Sequence, residues 1–484
     1  MPPAPQRIDD ESPALPTHLL HYEFKFIKNH EELLDIDDEK ERNARFYSLY
    51  LLEEGLKAAD PRHSVLNAID LRDGELTIKD IRVKLDKYEK IFIVGAGKAV
   101  GAMAEAIEEI LKDEITDGVI SVPKGTKGRY RLSKIRIVEG EHPIPGKGSL
   151  YAADEILRLL KNVNEKTLVL VLLSGGGSAL MEKPWEGIRL ESLTECTKML
   201  LASGASIDEV NVVRKHISTI KGGRLARAAY PAEVISLIIS DVVGDKIDTI
   251  ASGPTSPDPS TYEDAYNILK RYNIWTEIPE EIRNHIELGM KGERPETPKP
   301  GSKYFEKVNN IIVAGNRLSL RAMKEKAESL GLRALILSSM IEGEAAEVGK
   351  VVAAIAKELA MCELPIKRPA VIFMGGETTV TLKKYGTRGG RNQELVLSAL
   401  LKLEGGEDIV IVAIGSDGID GNSDAAGAII SKSIIKKAKE SGINARYYLD
   451  NHMSYDFFKK VGKSLIFTGP TGTNVNDFIM ILAL

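Results

Sequence analysis

Short, almost continuously apolar segments rich in Val, Ile and Leu recur along most of this chain, and helix-length amphipathic stretches follow them. This alternation is typical of β-α-β units, whose parallel strands form one sheet. Because the apolar segments are hardly interrupted by polar residues, helices are expected to cover both faces of each sheet. The sequence therefore predicts an α/β, doubly wound fold. The predicted strands are KIFIVGAG (90–97), GVISV (118–122), KIRIVEG (134–140), TLVLVLLSGGG (167–177), EVISLIISD (233–241), NNIIVAG (309–315), RALILSS (333–339), AVIFMGGE (370–377), DIVIVAIGSDG (408–418) and SLIFTG (464–469).

The chain is too long for one ordinary core. At 484 residues, and with roughly 150 residues per domain, two to three domains are expected, and two are predicted. The segment MKGERPETPKPGSK (290–303) combines prolines, glycines and charges, so it is the best candidate for a linker. The predicted parts are an N-terminal extension, 1–43, disordered to about residue 16, a larger domain, 44–295, and a smaller domain, 304–484.

Charge and composition favour a small-molecule ligand. The formal charge of −5 arises from interspersed acidic and basic residues, so no basic field indicates nucleic acid and no basic amphipathic face indicates a membrane. No apolar segment approaches the ~20 residues of a membrane helix, and no signal-peptide pattern opens the chain. A cytoplasmic location is therefore expected. Cys196 and Cys362 are predicted to be free, buried thiols.

Two glycine-rich turns follow predicted strands and precede predicted helices. The first, GAGKAVG (95–101), places Lys98 at a helix start, where backbone N–H groups suit a phosphate or carboxylate. A tight packing turn is the alternative. The second, SGGGSAL (174–180), has three consecutive glycines that let a backbone approach a ligand closely. The chain has no GxxxxGK[ST], so it is not a P-loop NTPase.

A basic helical segment, NVVRKHISTIKGGRLA (211–226), carries Arg214 and Lys221 on one face. A solvated surface and a ligand-binding face are both open interpretations. The glycine pair after Lys221 could aim that lysine and Arg224 at a ligand. His216 is predicted to have a structural role.

Carboxylates gather in three further loops. In SDVVGDKIDTIASGPT (240–255), Asp241 and Asp245 follow a strand, where they could hold Mg²⁺ or accept a hydroxyl proton, or Asp241 could cap a helix. The loop GSDGIDGNSDAAG (415–427) resembles a cation loop but lacks EF-hand spacing, so calcium is not expected. The third polar loop is TGPTGTNVND (468–477).

Two arginines, Arg388 and Arg391, frame a glycine pair at a predicted helix start in TRGGRNQEL (387–395). Guanidinium groups match phosphate oxygens, so this segment is a candidate clamp for a transferring phosphoryl group. The preceding segment, GGETTVTL (375–382), leads directly into it.

Taken together, these segments resemble the glycerate 2-kinase family with a C-terminal MOFRL domain. The resemblance runs from about Ala44 to the C-terminus and leaves 1–43 outside. It is carried by GAGKA, LLSGGGSAL, NVVRKHISTIKGGRLA, SDVVGD, ASGPT, GGETTV, GRNQE, GSDGIDG and TGPTGTNVND. It implies a Rossmann-like N-terminal domain, a smaller α/β MOFRL domain and an active site in the cleft between them. It also implies ATP-dependent phosphorylation of D-glycerate to 2-phosphoglycerate, with Mg²⁺ or another divalent cation.

The resemblance also implies roles for individual residues. Lys98 and Arg391 match positions that matter for catalysis in the family, and Asp241 and Asp417 match its active-site carboxylates. Both aspartates are candidate Mg²⁺ ligands, and Asp417 is preferred as the acceptor of the hydroxyl proton. The residues expected to bind substrate or nucleotide are Gly95, Gly97, Ser174, Gly175, Gly176, Gly177, Ser178, Arg214, Lys221, Glu377, Asn392 and Asp420.

Two other functions remain open from the sequence. A GxGxxxG after a strand also suggests an NAD(P)H-dependent hydroxypyruvate reductase, although GVISV ends in Pro123 and Lys124 where an NAD enzyme usually has an acidic residue. A non-catalytic sensor of sugar acids is the second alternative. Glycerate and ATP are the expected partners, with no nucleic acid and no membrane, and the sequence leaves a homodimer open.

Overall fold

The computed structural model describes residues 16, 19, 21–382 and 387–484. In chain order, the helices are α1 (His30–Leu34), α2 (Glu39–Ala59), α3 (Pro61–Ala68), α4 (Val100–Leu111), α5 (Lys147–Leu160), α6 (Gly177–Leu180), α7 (Leu190–Ala202), α8 (Ile207–Ile217), α9 (Arg224–Ala229), α10 (Tyr262–Arg271), α11 (Glu280–Met290), α12 (Asn316–Ser329), α13 (Ala345–Cys362), α14 (Arg391–Leu400), α15 (Lys432–Glu440), α16 (Ala445–Asp450) and α17 (Ser454–Val461). The strands are β1 (Ile69–Arg72), β2 (Glu75–Ile78), β3 (Ile81–Lys84), β4 (Lys90–Ala96), β5 (Asp117–Pro123), β6 (Ile135–Gly140), β7 (Thr167–Leu173), β8 (Glu233–Ile239), β9 (Val308–Ala314), β10 (Arg333–Glu344), β11 (Ala370–Thr379), β12 (Val410–Gly415), β13 (Gly427–Ser431), β14 (Leu465–Ile466) and β15 (Asp477–Ala483).

The chain forms two compact units. The central unit is Pro61–Ala314, and the terminal unit joins the residues up to Asp60 to Gly315–Leu484. The terminal unit is therefore discontinuous in sequence. The domain boundaries predicted from the sequence, 44–295 and 304–484, stay a prediction, and the compact units begin and end elsewhere.

The central unit is built on a parallel sheet with the strand order β6-β5-β4-β7-β8-β9. Every neighbouring pair in it is parallel. Counted along the chain, this order is that of a Rossmann sheet, in which the direction of winding reverses between the first and fourth strands. Here these strands are β4 and β7. Their side chains are almost entirely buried, as the uninterrupted apolar sequence predicts.

Two further parts of the central unit lie outside this sheet. Strands β1, β2 and β3 form a small antiparallel sheet that the sequence analysis did not predict. Helices α7, α8, α10 and α11 enclose a separate apolar cluster.

The proline-rich segment 290–303 lies within the central unit, packed against its other parts, and does not act as a free linker. Thr297 is 1% exposed, and the carboxylate of Glu296 accepts hydrogen bonds from Tyr262 N at 2.9 Å and His216 Nε2 at 3.1 Å. Composition suggested a solvated linker, but these contacts with residues distant in sequence hold the segment in place.

The terminal unit has a mixed sheet with the strand order β10-β11-β15-β12-β13-β14. Only β10 and β11 pair in parallel, and the other pairs are antiparallel. The α/β fold class is confirmed, but the parallel pairing expected throughout applies here to one pair of strands. Strands β13 and β15 were not predicted from the sequence, because their apolar segments follow polar loops instead of helices.

The N-terminal residues of the terminal unit are integral to it. Lys28 N donates to Phe467 O at 2.8 Å. Arg45 in α2 is fully buried, and it donates from Nε to Leu33 O at 2.7 Å and from Nη1 to Ser431 Oγ at 2.8 Å. The disorder predicted for the first residues falls on 1–15, which lie outside the described residues. In the part of the chain that is described, no helix is long and apolar enough to cross a membrane.

Candidate active site

In the central unit, the candidate site lies where β4 and β7 end. These neighbours are the strands between which the winding of the sheet reverses, and ligands of such sheets bind outside the carboxyl ends of the strands at that point. Gly97 and Lys98 follow β4, and Ser174 to Gly177 follow β7. The two glycine-rich turns predicted from the sequence are therefore neighbours at the position where a ligand is expected.

The two turns are locked together by hydrogen bonds. Lys98 N donates to Gly175 O at 2.9 Å, and Ala99 N donates to Ser174 Oγ at 3.0 Å. Gly97 must be glycine, because a Cβ there would lie 2.1 Å from Ser174 Oγ and its φ is +154°. Ser174 is itself buried, so it holds the turns together instead of facing a ligand.

The β7–α6 turn presents backbone donors. Gly175 and Gly176 are partly accessible, and neither N–H group finds an acceptor among the described residues. Gly176 has φ +82°, a left-handed conformation that favours glycine. The side chain of Lys98 is exposed. The pair of turns thus offers N–H donors and one ammonium group, the chemistry that binds phosphate.

Gly95 and Gly177 serve packing. A Cβ on Gly95 would lie 2.1 Å from Leu172 O, in the contact between β4 and β7. A Cβ on Gly177 would lie 2.8 Å from Ala96 O. Both glycines were predicted to bind ligand, but the structure places them inside the fold. There Gly95 allows β4 and β7 to lie close together, and Gly177 allows α6 to lie close to the end of β4.

Asp241 follows β8 and lies directly against the β7–α6 turn. A Cβ on Gly175 would lie 2.2 Å from Asp241 Oδ2, so only glycine leaves room for this carboxylate. Asp241 is partly accessible. The structure therefore brings Asp241, Gly175 and Lys98 into one group.

His142 belongs to this group, although the sequence analysis did not select it. A Cβ on Gly176 would lie 3.0 Å from His142 Cδ2, 3.2 Å from His142 Nε2 and 3.2 Å from Lys98 Cγ. Desolvation and the charge of Lys98 lower the pKa of His142. The available signal was its place just beyond the predicted strand 134–140, at the same edge of the sheet as the glycine turns.

A second layer supports the β7–α6 turn. Ser178 Oγ lies 2.9 Å from Ser252 Oγ, which donates to Asn211 Oδ1 at 2.9 Å. Ala251 and Ser252 have φ of 51° and 60°, unusual for residues with a side chain. The ASGPT segment thus braces α6 through a strained turn.

Lys221 is buried behind α6 and is not part of the accessible surface of the site. It is 1% exposed, and its ammonium contacts Ser178 O at 2.7 Å, Met181 O at 3.1 Å and Glu182 Oε2 at 3.1 Å. These contacts use all three donors of a lysine. The interpretation that the following glycines aim Lys221 and Arg224 at a ligand is wrong, because Arg224 is also 1% exposed and stacks 5.2 Å from the Trp185 ring.

Arg214 and His216, on α8, differ in their surroundings. The Nε of Arg214 is buried and has no hydrogen-bond partner among the described residues, and burial lowers the pKa of its guanidinium against the opposing effect of Glu182. His216 is fully buried, with Nδ1 2.8 Å from Val212 O and Nε2 3.1 Å from Glu296 Oε2. The structural role predicted for His216 is confirmed.

In the terminal unit, Arg391 starts α14 and is held by carboxylates. Its Nε and Nη2 form a fork with the two oxygens of Asp477 at 2.6 and 2.9 Å, and its Nη1 donates to Glu377 Oε1 at 2.9 Å. Burial acts to lower the pKa of Arg391, but the hydrogen-bonded Asp477 outweighs it and raises that pKa. Described residues accept hydrogen bonds from three of the five guanidinium N–H groups, which leaves two for a ligand.

Asp477 was not selected from the sequence, although it ends the quoted loop 468–477. It is 1% exposed, and Asn392 Nδ2 also donates to it at 3.0 Å. Burial raises its pKa against the opposing effect of Arg391. Asn316, at the start of α12, donates from Nδ2 to Asp477 O at 2.9 Å.

Asp420 caps α14. Its Oδ1 accepts from Asn392 N at 3.1 Å and its Oδ2 accepts from Gln393 N at 2.9 Å. Burial raises the pKa of Asp420 to about 6, against the effect of these hydrogen bonds. Asp420 and Asn392 are each 1% exposed. They were predicted to bind substrate or nucleotide, but here they position the helix that carries Arg391 and are not accessible to solvent.

Asp417 is more accessible. Its Oδ1 accepts from Ile419 N at 3.1 Å, and the residue is partly exposed. Arg388, the second arginine of the predicted clamp, stacks 3.8 Å from the Tyr455 ring and donates to Asp424 Oδ1 at 2.8 Å. Of the two arginines in the predicted clamp, Arg391 is therefore the one that remains a candidate for binding a ligand.

The terminal unit also contains a cavity of about 600 Å³ beside Arg391. Its described lining includes Glu377, Gly390, Glu394 and His452, and His452 Nδ1 lies 3.1 Å from Glu394 Oε2. Arg391 therefore faces open space large enough for a small ligand.

Mg²⁺ was expected, and the donor chemistry fits it. Among the described residues, no three His, Cys, Asp or Glu side chains gather into a metal site. Mg²⁺ in phosphoryl-transfer enzymes is often held by one or two carboxylates together with substrate phosphates. The partly accessible carboxylate of Asp241, against the glycine turn, suits that arrangement, and Asp417 offers a second oxygen donor in its own unit.

Comparison with known proteins relates most of the chain to two known families. Residues 48–287 match a domain of unknown function, DUF4147, and residues 370–477 match the MOFRL family. The chain is 45% identical to glycerate 2-kinase from Pyrococcus horikoshii, over 90% of this chain and 97% of that protein. A crystal structure of glycerate kinase from Thermotoga maritima is similar with a TM-score of 0.80 and 38% identity, covering 90% of this chain and 99% of that one. A putative hydroxypyruvate reductase from Agrobacterium vitis is 40% identical, over 89% of this chain and 93% of that protein.

Proposed function

Because the chain belongs to the glycerate kinase family with a MOFRL domain, we propose that it transfers the γ-phosphoryl group of ATP to the 2-hydroxyl of D-glycerate. The products are 2-phosphoglycerate and ADP. The observation that carries the proposal is the pairing of the Lys98 turn with the Gly175–Gly176 turn at the switch point of the Rossmann sheet. An active site between the two units, implied by the family resemblance, stays a prediction.

The phosphate groups of ATP are proposed to bind to the central unit. The N–H groups of Gly175 and Gly176 supply fixed donors, and Lys98 adds a positive charge beside them. Phosphoryl transfer needs little covalent participation by the protein, so position and charge stabilisation supply most of the rate. Lys221, buried under the turn, keeps its backbone in place through the carbonyls of Ser178 and Met181.

Arg391 and Arg214 are the cations proposed for the transferring phosphoryl group and the glycerate carboxylate. Asp477 holds the guanidinium of Arg391 by two hydrogen bonds, so its two remaining N–H groups are preorganised for oxygen ligands. Arg214 is partly accessible, and its buried Nε has no hydrogen-bond partner among the described residues, so an anionic group would supply the hydrogen bond it lacks.

Asp241 would hold Mg²⁺ in the central unit, and Asp417 is the second candidate ligand, in the terminal unit. When bound, Mg²⁺ neutralises charge on the phosphate oxygens. Asp241 lies against Gly175. Its carboxylate is therefore close enough to the glycine turn to be a ligand of Mg²⁺ when phosphates bind there.

The test is an assay of ADP formation with ATP and either D-glycerate, L-glycerate or hydroxypyruvate. We expect ADP with D-glycerate and a dependence on added Mg²⁺. Phosphorus NMR of the product identifies the phosphorylated carbon. Formation of 3-phosphoglycerate as the first product would contradict the assignment to C2, and absence of ADP would contradict the kinase proposal.

Lys98→Ala tests the central unit's part in the reaction. Removal of a charge that acts on the transferring group is expected to lower kcat about 10²-fold, with a smaller change in the KM for ATP. Lys84→Ala, at an exposed lysine of β3, is the matched control and should keep the wild-type kcat. Unchanged kcat in the Lys98 variant would remove this residue from the mechanism.

Hydroxypyruvate reduction is the second candidate, because a similar protein carries that name and the strand order is that of dinucleotide-binding domains. Against it, β5 ends at Pro123 and is followed by Lys124, where an NAD enzyme would use a carboxylate on the ribose. Loss of NADH or NADPH absorbance with hydroxypyruvate would favour the reductase.

Glycerate and ATP are the proposed partners, and a cytoplasmic location and a homodimer stay predictions.

A further inference from the structure

The proposed reaction releases a proton from the substrate hydroxyl, so a nearby group must accept it. Three charged or titratable side chains lie around the β7–α6 turn. Asp241 lies against Gly175, while His142 and the stem of Lys98 lie against Gly176. Lys98, as an ammonium, cannot accept a proton. The acceptor in the central unit is therefore Asp241 or His142.

His142 is placed for contact with a bound substrate. It lies two residues beyond β6, at the carboxyl edge of the sheet, and its ring is exposed. Its Nε2 edge faces the β7–α6 turn, since a Cβ on Gly176 would lie 3.2 Å from Nε2. The neighbouring Glu141 is occupied elsewhere, because its Oε2 accepts from Gly148 N at 3.0 Å and from Ser149 N at 3.2 Å.

We propose that His142 is the general base of the reaction, an inference that rests on the proposed kinase function. Nε2 takes the proton of the substrate 2-hydroxyl while that oxygen forms a bond to the γ-phosphorus. The bond between the γ-phosphorus and the bridging oxygen breaks, and ADP leaves with the electron pair. The imidazolium then returns its proton to solvent.

Charge and basicity favour His142 over the two aspartates. A carboxylate is an intrinsically weaker base than an imidazole. Desolvation and Lys98, the cation that faces the ring, lower the pKa of His142, so the ring is neutral and able to accept a proton at pH 7. If Asp241 holds Mg²⁺, its oxygens are engaged by the metal.

The experiment compares wild-type protein, His142→Gln and His63→Gln for ADP formation from ATP and D-glycerate between pH 5 and 9. His63, half-buried on α3 and hydrogen-bonded to Asn67 Nδ2, is the matched control. For the wild type, kcat should fall as pH drops below a pKa lower than 6.5, because protonation removes the base. His142→Gln should lose about 10²-fold in kcat and lose that acidic limb, whereas His63→Gln should keep both.

A loss of kcat that leaves the acidic limb unchanged would overturn the proposal, because His142 would then position the substrate without taking its proton. A kcat within about threefold of wild type would also overturn it. His142→Asn and thermal unfolding of both variants separate these outcomes from misfolding. If the wild type itself forms no ADP from glycerate, the proposed function fails first, and the result is distinguishable from a failure of His142 alone.

Discussion

At the scale of single residues, Arg391 shows how a side chain chosen from sequence acquires its orientation from distant partners. The segment TRGGRNQEL predicts a guanidinium at a helix start. The carboxylates that hold it belong to Glu377 on β11 and Asp477 on β15, 14 and 86 residues away. Asp477 was missed because nothing near it in sequence distinguishes it from the other polar residues of its loop.

Replacing Arg391 with Lys tests this orientation. Lysine keeps the charge but cannot form the two-bond fork with Asp477, so its ammonium is expected to be misplaced. We expect kcat to fall about 10²-fold while the fold is retained. Arg446→Lys, at an exposed arginine paired with Asp450 on α16, should leave kcat unchanged. Steady-state kinetics and circular dichroism check both variants, and wild-type turnover in Arg391→Lys would show that charge alone is sufficient.

At the scale of elements, the β7–α6 turn combines a required backbone conformation with a crowded site. Gly176 has φ +82°, and the space for its missing Cβ is bordered by His142 and Lys98. Gly187 has φ +90° and nothing within 4 Å of a Cβ. The two glycines therefore share the backbone requirement and differ in their surroundings.

Gly176→Ala and Gly187→Ala separate these effects. Each alanine should cost about 1–2 kcal/mol of folding free energy, because a left-handed conformation is unfavourable with a Cβ. Only Gly176→Ala should lower kcat, by at least about tenfold, since its methyl group displaces His142 or Lys98. Thermal unfolding and ADP assays measure the two quantities. Equal kcat in the two variants would show that the turn is merely structural.

The helical cluster of α8, α10 and α11 contains a buried histidine that couples stability to pH. His285 is 3% exposed, and its Nε2 lies 3.2 Å from Tyr262 Oη and 3.1 Å from His216 O. Burial is the main cause that lowers its pKa to about 4, whereas the unfolded value is about 6.5. The unfolded chain therefore binds this proton more readily.

From this shift we expect His285 to contribute fully to stability above pH 6.5 and to lose that contribution as pH falls through about 4. The loss amounts to about 3 kcal/mol at most. Urea unfolding of wild-type protein and His285→Gln between pH 4 and 7.5 measures it. The variant is expected to lose less stability than the wild type over this interval, and parallel pH curves would contradict the assignment.

At the scale of the whole molecule, the terminal unit is assembled from both ends of the chain. Helix α2 belongs to the same unit as β13, although almost 370 residues separate them. Arg45 secures this association, because its guanidinium reaches Leu33, Ser431 and Lys463. Leu33, in the segment 1–43 predicted as an extension, and Arg45, in the predicted larger domain, therefore both belong to the buried part of the terminal unit.

Arg45→Ala should reduce the stability of the protein by about 3 kcal/mol, since hydrogen bonds from a charged donor are lost and their buried acceptors are left unpaired. Lys57→Ala, at an exposed position on α2, controls for the change in helix composition and charge and should have little effect. Chemical denaturation measures both. Equal stability of the two variants would show that α2 is held without Arg45.

The sequence by itself determined the features that depend on neighbouring residues. The buried strands of the central unit, the two glycine-rich turns and the helix that begins at Arg391 follow from apolar runs, glycine spacing and polar residues at strand ends. Such patterns work because side-chain burial and backbone freedom are local properties of the chain.

Only the tertiary structure decided which polar residues are accessible and which partners they meet. Lys98 and Lys221 both stand next to glycines, yet Lys98 is exposed and Lys221 is enclosed by two carbonyls and Glu182. His142 and Asp477 acquire their importance from strands and turns far away in sequence. Burial and hydrogen-bond partners of this kind arise from long-range packing, which a pattern of neighbouring residues does not encode.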